Sequence, residues 1–212
     1  MKGFLSAVQN LLYPLDVSCS LCSQEKGMGN GIGLCSACIA TLPMDIHRET
    51  VQGVDARWAM AYEGDARTMV TGLKFENKRY FVPPLAHFMA QAFSAHPVAA
   101  DLILPVPLHK KKLRQRGFNQ SALLARALSE LLGIPTKEDG LSRIRDTLPQ
   151  MDLSREARLQ NVVNAFAANG DYAGMHILIV DDILTTGASL MDAQRALFLA
   201  GATASALCAT RA

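Results

Sequence analysis

Two adjacent aspartates, Asp181 and Asp182, follow a short apolar run in the C-terminal half of the chain. The run, residues 177–180, contains only Ile, Leu and Val, which predicts a strand covered on both faces of a parallel sheet. Open α/β sheets bind their ligands at the carboxyl ends of the strands. We therefore expect both carboxylates to face a bound ligand.

After two further apolar residues comes a turn of small and hydroxyl-bearing residues: Thr185, Thr186, Gly187, Ala188 and Ser189. The apolar spacing beyond it predicts a helix over residues 189–200. Backbone N–H groups and hydroxyls at a helix N-terminus bind phosphate, helped by about half a positive charge from the helix dipole. Because carboxylates accept hydrogen bonds from a diol, the two features together predict a ribose 5-phosphate ligand. The alternative is a buried strand that ends in a polar turn, with Asp182 acting only as a cap.

The acid pair and the turn resemble the phosphoribosyl pyrophosphate (PRPP) signature of type I phosphoribosyltransferases. In that signature the acidic pair faces the ribose 2- and 3-hydroxyls and the Thr/Gly/Ser loop holds the 5-phosphate. The resemblance implies that Asp181 and Asp182 bind the ribose and that residues 185–189 bind its phosphate. Ser189 stands where Thr is common, and it keeps the hydroxyl.

Four of the five cysteines form two Cys-x2-Cys pairs: Cys19, Cys22, Cys35 and Cys38. Two such pairs of thiolates suit one tetrahedral Zn²⁺, and four thiolates leave no position for water or substrate. The sequence therefore predicts a structural zinc site. Two disulfides are the alternative, but nothing else in the sequence indicates secretion. Cys208 lies in an apolar run, and we expect it to be a buried core thiol.

A chain of 212 residues, half of them hydrophobic, accommodates one ordinary domain and a small appendage. We expect an N-terminal helix with the zinc module in residues 1–45, and a phosphoribosyltransferase-like domain in residues 46–212. The net charge of +2 is too small to indicate a nucleic-acid partner by itself. No apolar run is long enough to span a membrane and no signal-peptide pattern opens the chain, so we expect a cytoplasmic protein. The oligomeric state is not predicted.

Strand patterns alternate with helix patterns, which predicts an α/β fold with a doubly wound parallel sheet. The predicted strands are residues 56–63, 102–107, 177–180 and 203–209. The predicted helices are residues 65–75, 85–95, 119–132, 154–164 and 189–200. Residues 44–55 are predicted to be a junction between the zinc module and this domain.

A basic segment follows the second strand: five of the eight residues from His109 to Arg116 are Lys or Arg. The segment leaves its strand at the same edge of the sheet as the acid pair. We predict a basic loop there that holds the pyrophosphate of PRPP together with Mg²⁺. A solvated loop without a ligand is the alternative. Asn119 is predicted to cap the helix that follows.

A second polar segment, residues 141–161, carries Arg143, Arg145, Arg155 and Arg158. Arginines in a stretch between core strands favour a mobile lid over a phosphorylated substrate. An exposed charged helix and turn is the alternative.

The chain as a whole resembles the ComF/GntX family of competence-associated proteins. Besides the cysteines and the PRPP signature, the motifs are Leu73-Lys74-Phe75, Pro105-Val106-Pro107-Leu108, Arg116-Gly117-Phe118-Asn119-Gln120, Arg145-Asp146-Thr147-x2-Gln150 and Arg158-x2-Asn161. The resemblance implies a zinc finger joined to a phosphoribosyltransferase domain that handles imported DNA. On the basis of this resemblance, the candidate catalytic residues are Lys74 and Arg116 in addition to Asp181 and Asp182. Leu108, His109 and Arg145 are further candidate PRPP contacts.

The reaction itself stays open, because fold and ligand motif do not fix a reaction. One interpretation is a PRPP-binding, phosphoribosyltransferase-type protein that works with single-stranded DNA and the DNA-uptake machinery. A second is a metabolic phosphoribosyltransferase that transfers ribose 5-phosphate to a base or an amine. A third is a non-catalytic zinc protein that binds single-stranded DNA. No residue pattern identifies an acceptor.

Overall fold

A computed structural model of the chain describes residues 18–24, 31–144 and 165–212. Its central sheet has five strands in the order β1-β2-β7-β6-β3, and a separate pair joins β4 to β5. The strands are β1 Met44–Val51, β2 Val54–Ala61, β3 Leu102–Pro105, β4 Leu141–Arg143, β5 Phe166–Ala168, β6 His176–Leu184 and β7 Thr203–Arg211.

Six α-helices are described, together with a 3-10 turn over Arg79–Phe81. The helices are α1 Ser36–Ala40, α2 Gly64–Phe75, α3 Val82–Ala95, α4 Lys110–Arg116, α5 Gln120–Leu132 and α6 Ala188–Leu199. None of the helices in the described part of the chain combines the length and the apolarity needed to cross a membrane.

The sheet is parallel except at one edge. Strands β2, β7, β6 and β3 run in the same direction, and only β1 pairs antiparallel, with β2. The β1–β2 turn places Gln52 and Gly53 at φ of 54° and 80°, the positive values that a two-residue hairpin requires. The parallel pairing needs crossover connections, and the helices supply them.

Both faces of the sheet are covered, as the continuous apolar run 177–180 predicts. Leu178 and Val180 belong to a core shared with α2, α3 and α5, whereas Ile177 and Ile179 belong to a second core shared with α6 and β5. All four side chains are fully buried. The predicted α/β fold with a doubly wound, mostly parallel sheet is therefore confirmed.

Residues 44–55 are not a plain junction, as predicted, but contain strand β1 and its turn. Seven of the eight β1 residues are exposed. An edge strand needs no buried alternating face, because its position is fixed by backbone hydrogen bonds to one neighbour. This is why the polar sequence of the segment conceals the strand. The boundary at residue 45 itself remains a prediction.

The basic segment is a helix rather than the predicted loop. Helix α4 spans Lys110–Arg116. His109 caps its N-terminus, where its Nδ1 accepts a hydrogen bond of 3.4 Å from the Lys111 N–H. It ends at Gly117 with φ of 80°, where a side chain would be strained. Seven residues make two turns, which is too short for an apolar period to show.

The other predicted strands and helices that fall in the described residues are present, with different first or last residues. Asn119 caps α5, since its Oδ1 accepts a 3.1 Å hydrogen bond from the Ser121 N–H, and Gly133 closes that helix in the left-handed conformation. Cys208 is fully buried, as predicted. The predicted N-terminal helix, the helix over residues 154–164 and most of the lid segment lie outside the described residues.

Candidate functional site

The parallel pairing of β3 with β6 brings the two chemical segments of the sequence to one edge of the sheet. Pro105 lies opposite Val180, and the Val106 N–H donates to the Val180 carbonyl at 2.9 Å. The chain beyond β3 therefore lies beside Asp181 and Asp182 at the carboxyl ends of the strands. This is the edge at which open α/β sheets bind ligands.

The two carboxylates are held by different partners. Asp181 Oδ1 accepts hydrogen bonds from the Ser121 hydroxyl at 2.8 Å and from the Asp182 N–H at 2.9 Å. Asp182 is 2% exposed, and its Oδ2 lies 2.8 Å from Lys74 Nζ. That oxygen has no other partner among the described residues. Helix α2 thus supplies the counter-charge for Asp182, and α5 supplies the hydroxyl for Asp181.

Burial and charge set the protonation of the site. Burial first, and the neighbouring Asp182 carboxylate second, raise the pKa of Asp181 to about 7, against the opposing effects of Lys74 and Ser121. Burial also lowers the pKa of Arg116, although the charge of Asp182 counteracts this. Asp181 therefore changes its charge near neutral pH, where a diol ligand would require it to be ionised.

The Thr/Gly/Ser turn forms the N-terminus of α6. Gly187 has φ of 80°, and a Cβ there would lie 2.8 Å from Val51 Cγ1, so both the conformation and the space require glycine. The Ala188 N–H donates to Thr186 Oγ1 at 3.4 Å. Residues 183–190 and Asp181 line a small cleft of about 30 Å³.

Two larger cavities adjoin the acid pair. The acid-pair cavity, of about 200 Å³, is lined by both aspartates and by Lys74, Leu108, Gln120, Arg143, Thr185 and Ser189, among others. The Phe75 cavity, of about 520 Å³, is lined by Lys74, Phe75, Asn77, Leu108, Lys112, Gln115, Arg116, Phe118 and Gln120. Three residues line both: Lys74, Leu108 and Gln120.

The structure brings most of the candidate site residues together. Asp181, Asp182, Lys74, Leu108 and the turn surround the acid-pair cavity or the cleft beside it. Arg116 lines the neighbouring Phe75 cavity. His109 lines neither cavity and caps α4 instead. Arg145 lies outside the described residues. The PRPP-binding roles of all these residues remain predictions.

Three residues at the site were not predicted. Ser121 is fully buried against Asp181, Gln120 is 4% exposed and lines both cavities, and the Phe75 ring forms a wall of the larger one. Ser121 and Gln120 begin the helix after β3, and a helix that follows a parallel strand begins at the ligand-binding edge. That rule could have identified both from the sequence. Phe75 and Gln120 also stand in the family motifs Leu73-Lys74-Phe75 and Arg116-Gly117-Phe118-Asn119-Gln120, which gave neither residue a role.

The four N-terminal cysteines form a cluster that can hold one metal ion. Their sulfur atoms all lie within 4.8 Å of one another, and Cys22 Sγ is 3.8 Å from Cys35 Sγ. Tetrahedral ligation at about 2.3 Å places two sulfurs about 3.8 Å apart. The five cysteines, all of them among the described residues, are free thiols. The thiol chemistry and the spacing therefore fit the predicted zinc ion, and the disulfide alternative is not seen.

The cysteine cluster is packed on the main core. Cys19 and Cys35 are 1% and 3% exposed, and Leu34 and Leu42 belong to the same buried cluster as Met60. Burial opposes ionisation of Cys19, but hydrogen bonds from the backbone N–H groups around it lower its pKa to about 6. A thiolate is the form that binds metal.

Comparison with known proteins identifies relatives of this chain, although no family model matches it. It is 34% identical over 140 residues to the DNA utilization protein YhgH of Salmonella typhi, covering 63% of this chain and 61% of that protein. It is 31% identical over 137 residues to competence protein F of Haemophilus influenzae (61% and 60% covered). It is 29% identical over 150 residues to competence protein ComFC of Bacillus subtilis (70% and 60% covered).

The predicted resemblance to the ComF/GntX family is confirmed. The chain is a homologue of proteins named for competence and for DNA utilization. It spans about three fifths of the length of these curated relatives. Among solved structures, adenine phosphoribosyltransferase from Leishmania tarentolae matches with a TM-score of 0.38 and 15% identity, covering 58% of this chain and 54% of that one.

We expect one Zn²⁺ per chain, bound by Cys19, Cys22, Cys35 and Cys38. The Cys22→Ser variant should lose the ion and unfold residues 18–24 and 31–42 while the sheet stays largely folded, because structural zinc contributes about 10–16 kcal/mol of apparent binding energy. Elemental analysis and circular dichroism measure the two effects. The control is Cys208→Ala, which removes a thiol outside the cluster and should keep the ion. Wild-type protein purified without chelator and containing no zinc would contradict the prediction.

Asp181 should make stability depend on pH. Its pKa is about 7 in the folded chain and about 3.8 ordinarily, so the unfolded chain loses the proton first as pH rises. The contribution of Asp181 to the free energy of unfolding is therefore fully present below pH 4 and is lost progressively as the pH rises to 7. The Asp181→Asn variant cannot ionise and keeps the Oδ1 acceptor. At pH 8 its free energy of unfolding should exceed that of wild type by about 2 kcal/mol. This figure uses 1.36 kcal/mol per unit of pKa difference and is then reduced because Asp181 is partly exposed.

Urea unfolding at pH 5 and pH 8 measures this difference. Asp139→Asn, at an exposed aspartate outside the site, is the matched control and should leave the pH dependence unchanged. An Asp181→Asn variant as pH-dependent as wild type would show that Asp181 is not the group that titrates.

Proposed function

We propose that this chain is a PRPP-binding protein of the phosphoribosyltransferase type that serves the utilisation of imported DNA. One observation carries the proposal: the acid pair and two hydroxyl-bearing residues of the turn, Thr185 and Ser189, line the same cavity of about 200 Å³. The names of the homologues support the link to DNA.

The ribose 5-phosphate half of PRPP occupies the acid-pair cavity in this proposal. Asp181 and Asp182 accept hydrogen bonds from the two ribose hydroxyls. The 5-phosphate takes the N-terminus of α6, where Thr185, Ser189 and the backbone N–H groups are donors. Arg143 lines the same cavity and adds positive charge near the phosphorylated ligand.

The pyrophosphate half of PRPP, bound as its magnesium complex, extends toward α4. Lys112 and Arg116 line the space on that side, and Lys74 lies between the two halves. Fixed cations with guanidinium and ammonium donors hold a pyrophosphate through charge-assisted hydrogen bonds.

Transfer, where it is catalysed, breaks the bond between ribose carbon 1 and the pyrophosphate oxygen. The oxygen keeps the electron pair, and positive charge develops on the ring. Asp181 and Asp182 stabilise that charge, while Arg116 and Lys112 stabilise the leaving group. An acceptor then bonds to carbon 1 and loses its proton. The residues described here do not identify that acceptor.

A second candidate function, direct binding of single-stranded DNA, rests on the exposed basic face of α4. Lys110 and Lys111 are exposed at its start and line neither cavity. Such a face can hold a nucleic-acid backbone or a component of the DNA-uptake machinery. A metabolic phosphoribosyltransferase is the remaining alternative, and it would not need these lysines.

Replacing both carboxylates, Asp181→Asn with Asp182→Asn, should abolish PRPP binding, because the diol loses its charged acceptors. Ser189→Ala should weaken binding by about 1.5–3 kcal/mol through the loss of one charge-assisted hydrogen bond. Calorimetric titration with PRPP and Mg²⁺ measures both, and Asp139→Asn is the control. A double variant that binds PRPP as tightly as wild type would place the site elsewhere.

Replacing Lys110, Lys111 and Lys112 by Ala should weaken binding of single-stranded DNA and reduce its dependence on salt. Each backbone phosphate neutralised contributes about 0.7 to the slope of log affinity against log salt on single strands. The triple change also removes Lys112, which lines the Phe75 cavity, so it should weaken PRPP binding as Arg116→Ala does. Arg114→Ala, at an exposed residue that lines neither cavity, should leave PRPP binding unchanged. Titrations of oligonucleotide and of PRPP over a range of salt concentrations measure these effects. Unchanged DNA affinity and slope in the triple variant would favour the metabolic alternative.

A further inference from the structure

The Phe75 cavity is larger than the pyrophosphate half of PRPP requires, and its walls are of a different kind. Its volume of about 520 Å³ is in the range of pockets that enclose whole small molecules. Two aromatic rings, Phe75 and Phe118, line it. A phosphate group gains nothing from an aromatic wall, so these rings point to a ligand with a planar apolar part.

Phe75 is an unusual side chain for the end of a helix. It is 74% exposed, although it lines a cavity. The Arg116 guanidinium carbon lies 5.4 Å from the centre of its ring. An exposed ring beside a guanidinium is an arrangement on which nucleobases stack.

The polar groups of the cavity are mostly donors. Among the described residues, no Asp or Glu lines it, whereas Lys74, Lys112 and Arg116 do. Gln120 is 4% exposed, and its Oε1 accepts a hydrogen bond from Arg116. Its Nε2 has no acceptor among the described residues, so it can donate a hydrogen bond to a ligand in this cavity. The ligand is therefore rich in acceptors and negatively charged.

We propose that the Phe75 cavity binds a nucleotide, with the base stacked on Phe75 and a phosphate on Lys112 and Arg116. A base without a phosphate would leave the cations unused, and a phosphate without a base would leave the ring unused. The nucleotide has two sources, a free mononucleotide or one unit of a single strand. The nucleotide site does not depend on PRPP binding. Its phosphate takes Lys112 and Arg116, the cations that hold the pyrophosphate in the proposed function, so a nucleotide and PRPP compete for this cavity. The cavity also shares Lys74, Leu108 and Gln120 with the acid-pair cavity.

The test is calorimetric titration of the full chain with dAMP, with deoxyribose 5-phosphate, and with an eight-residue oligo(dA). Wild type should bind dAMP more tightly than deoxyribose 5-phosphate, because only dAMP can stack. Phe75→Ala should lower the affinity for dAMP about 5- to 150-fold, the range that stacking of one base on an aromatic ring provides. Phe75→Trp should restore it. Because Phe75 is exposed, its replacement should not disturb folding.

Phe198→Ala is the matched control. Phe198 is 73% exposed, almost the same as Phe75, but it lies near the end of α6 and lines neither cavity. It should leave every affinity unchanged. A Phe75-dependent preference for the oligonucleotide over dAMP assigns the site to a strand, and the reverse preference assigns it to a free nucleotide.

The proposal is overturned if wild type binds neither dAMP nor the oligonucleotide, or if Phe75→Ala binds both with wild-type affinity. PRPP titration of the same proteins separates this result from the proposed function. Phe75→Ala should bind PRPP as wild type does. If wild type does not bind PRPP, the proposed function is contradicted, whereas the conclusion on nucleotide binding is unaffected.

Discussion

The enclosure of two adjacent carboxylates, Asp182 buried and Asp181 half-buried, is the constraint around which this fold is arranged. Asp182 is almost completely enclosed, and charges in that position are costly unless they are paired. Lys74, from the last turn of α2, lies 2.8 Å from the Asp182 carboxylate, and Ser121, from the first turn of α5, donates to Asp181. Thr210 on β7 donates to the Asp182 carbonyl at 3.1 Å. Three elements from distant parts of the chain therefore meet at one pair of residues.

The sequence predicts the core of this arrangement because its signals are local. Residues 177–180 are apolar without interruption, and only a strand covered on both faces needs that composition. Asn119 and Gly133 mark the ends of α5 through chemistry that acts within a few residues. By contrast, β1 is held by hydrogen bonds to a neighbouring strand, and α4 is too short to show a period. Their structures depend on neighbours that the local sequence does not display.

The candidate site was predictable to the extent that it lies on one strand and the turn after it. The resemblance to a family, rather than the spacing of residues, indicated Lys74, because about a hundred residues separate it from Asp182. Ser121 and Gln120 follow from the position of α5 after β3, once β3 is known to pair with β6. Phe75 stands in the family motif Leu73-Lys74-Phe75, but its role could not be inferred, since a single aromatic residue at a helix end is usually part of the core. Its exposure beside Arg116 becomes visible only in three dimensions.

The sharing of residues between the two cavities has an energetic consequence. Lys74 lines both cavities and is the counter-charge of Asp182, so an anion in the Phe75 cavity competes with that carboxylate for the same ammonium group. A ligand that draws Lys74 away leaves Asp182 with less compensation. It also removes a charge that lowers the pKa of Asp181, so it favours the protonated form of Asp181. Protonated Asp181 accepts fewer hydrogen bonds from a diol. Because coupling between two binding sites is reciprocal, a diol ligand in the acid-pair cavity would then weaken binding of an anion in the other cavity by the same factor. The two sites are thus linked through one lysine, without any change in the fold.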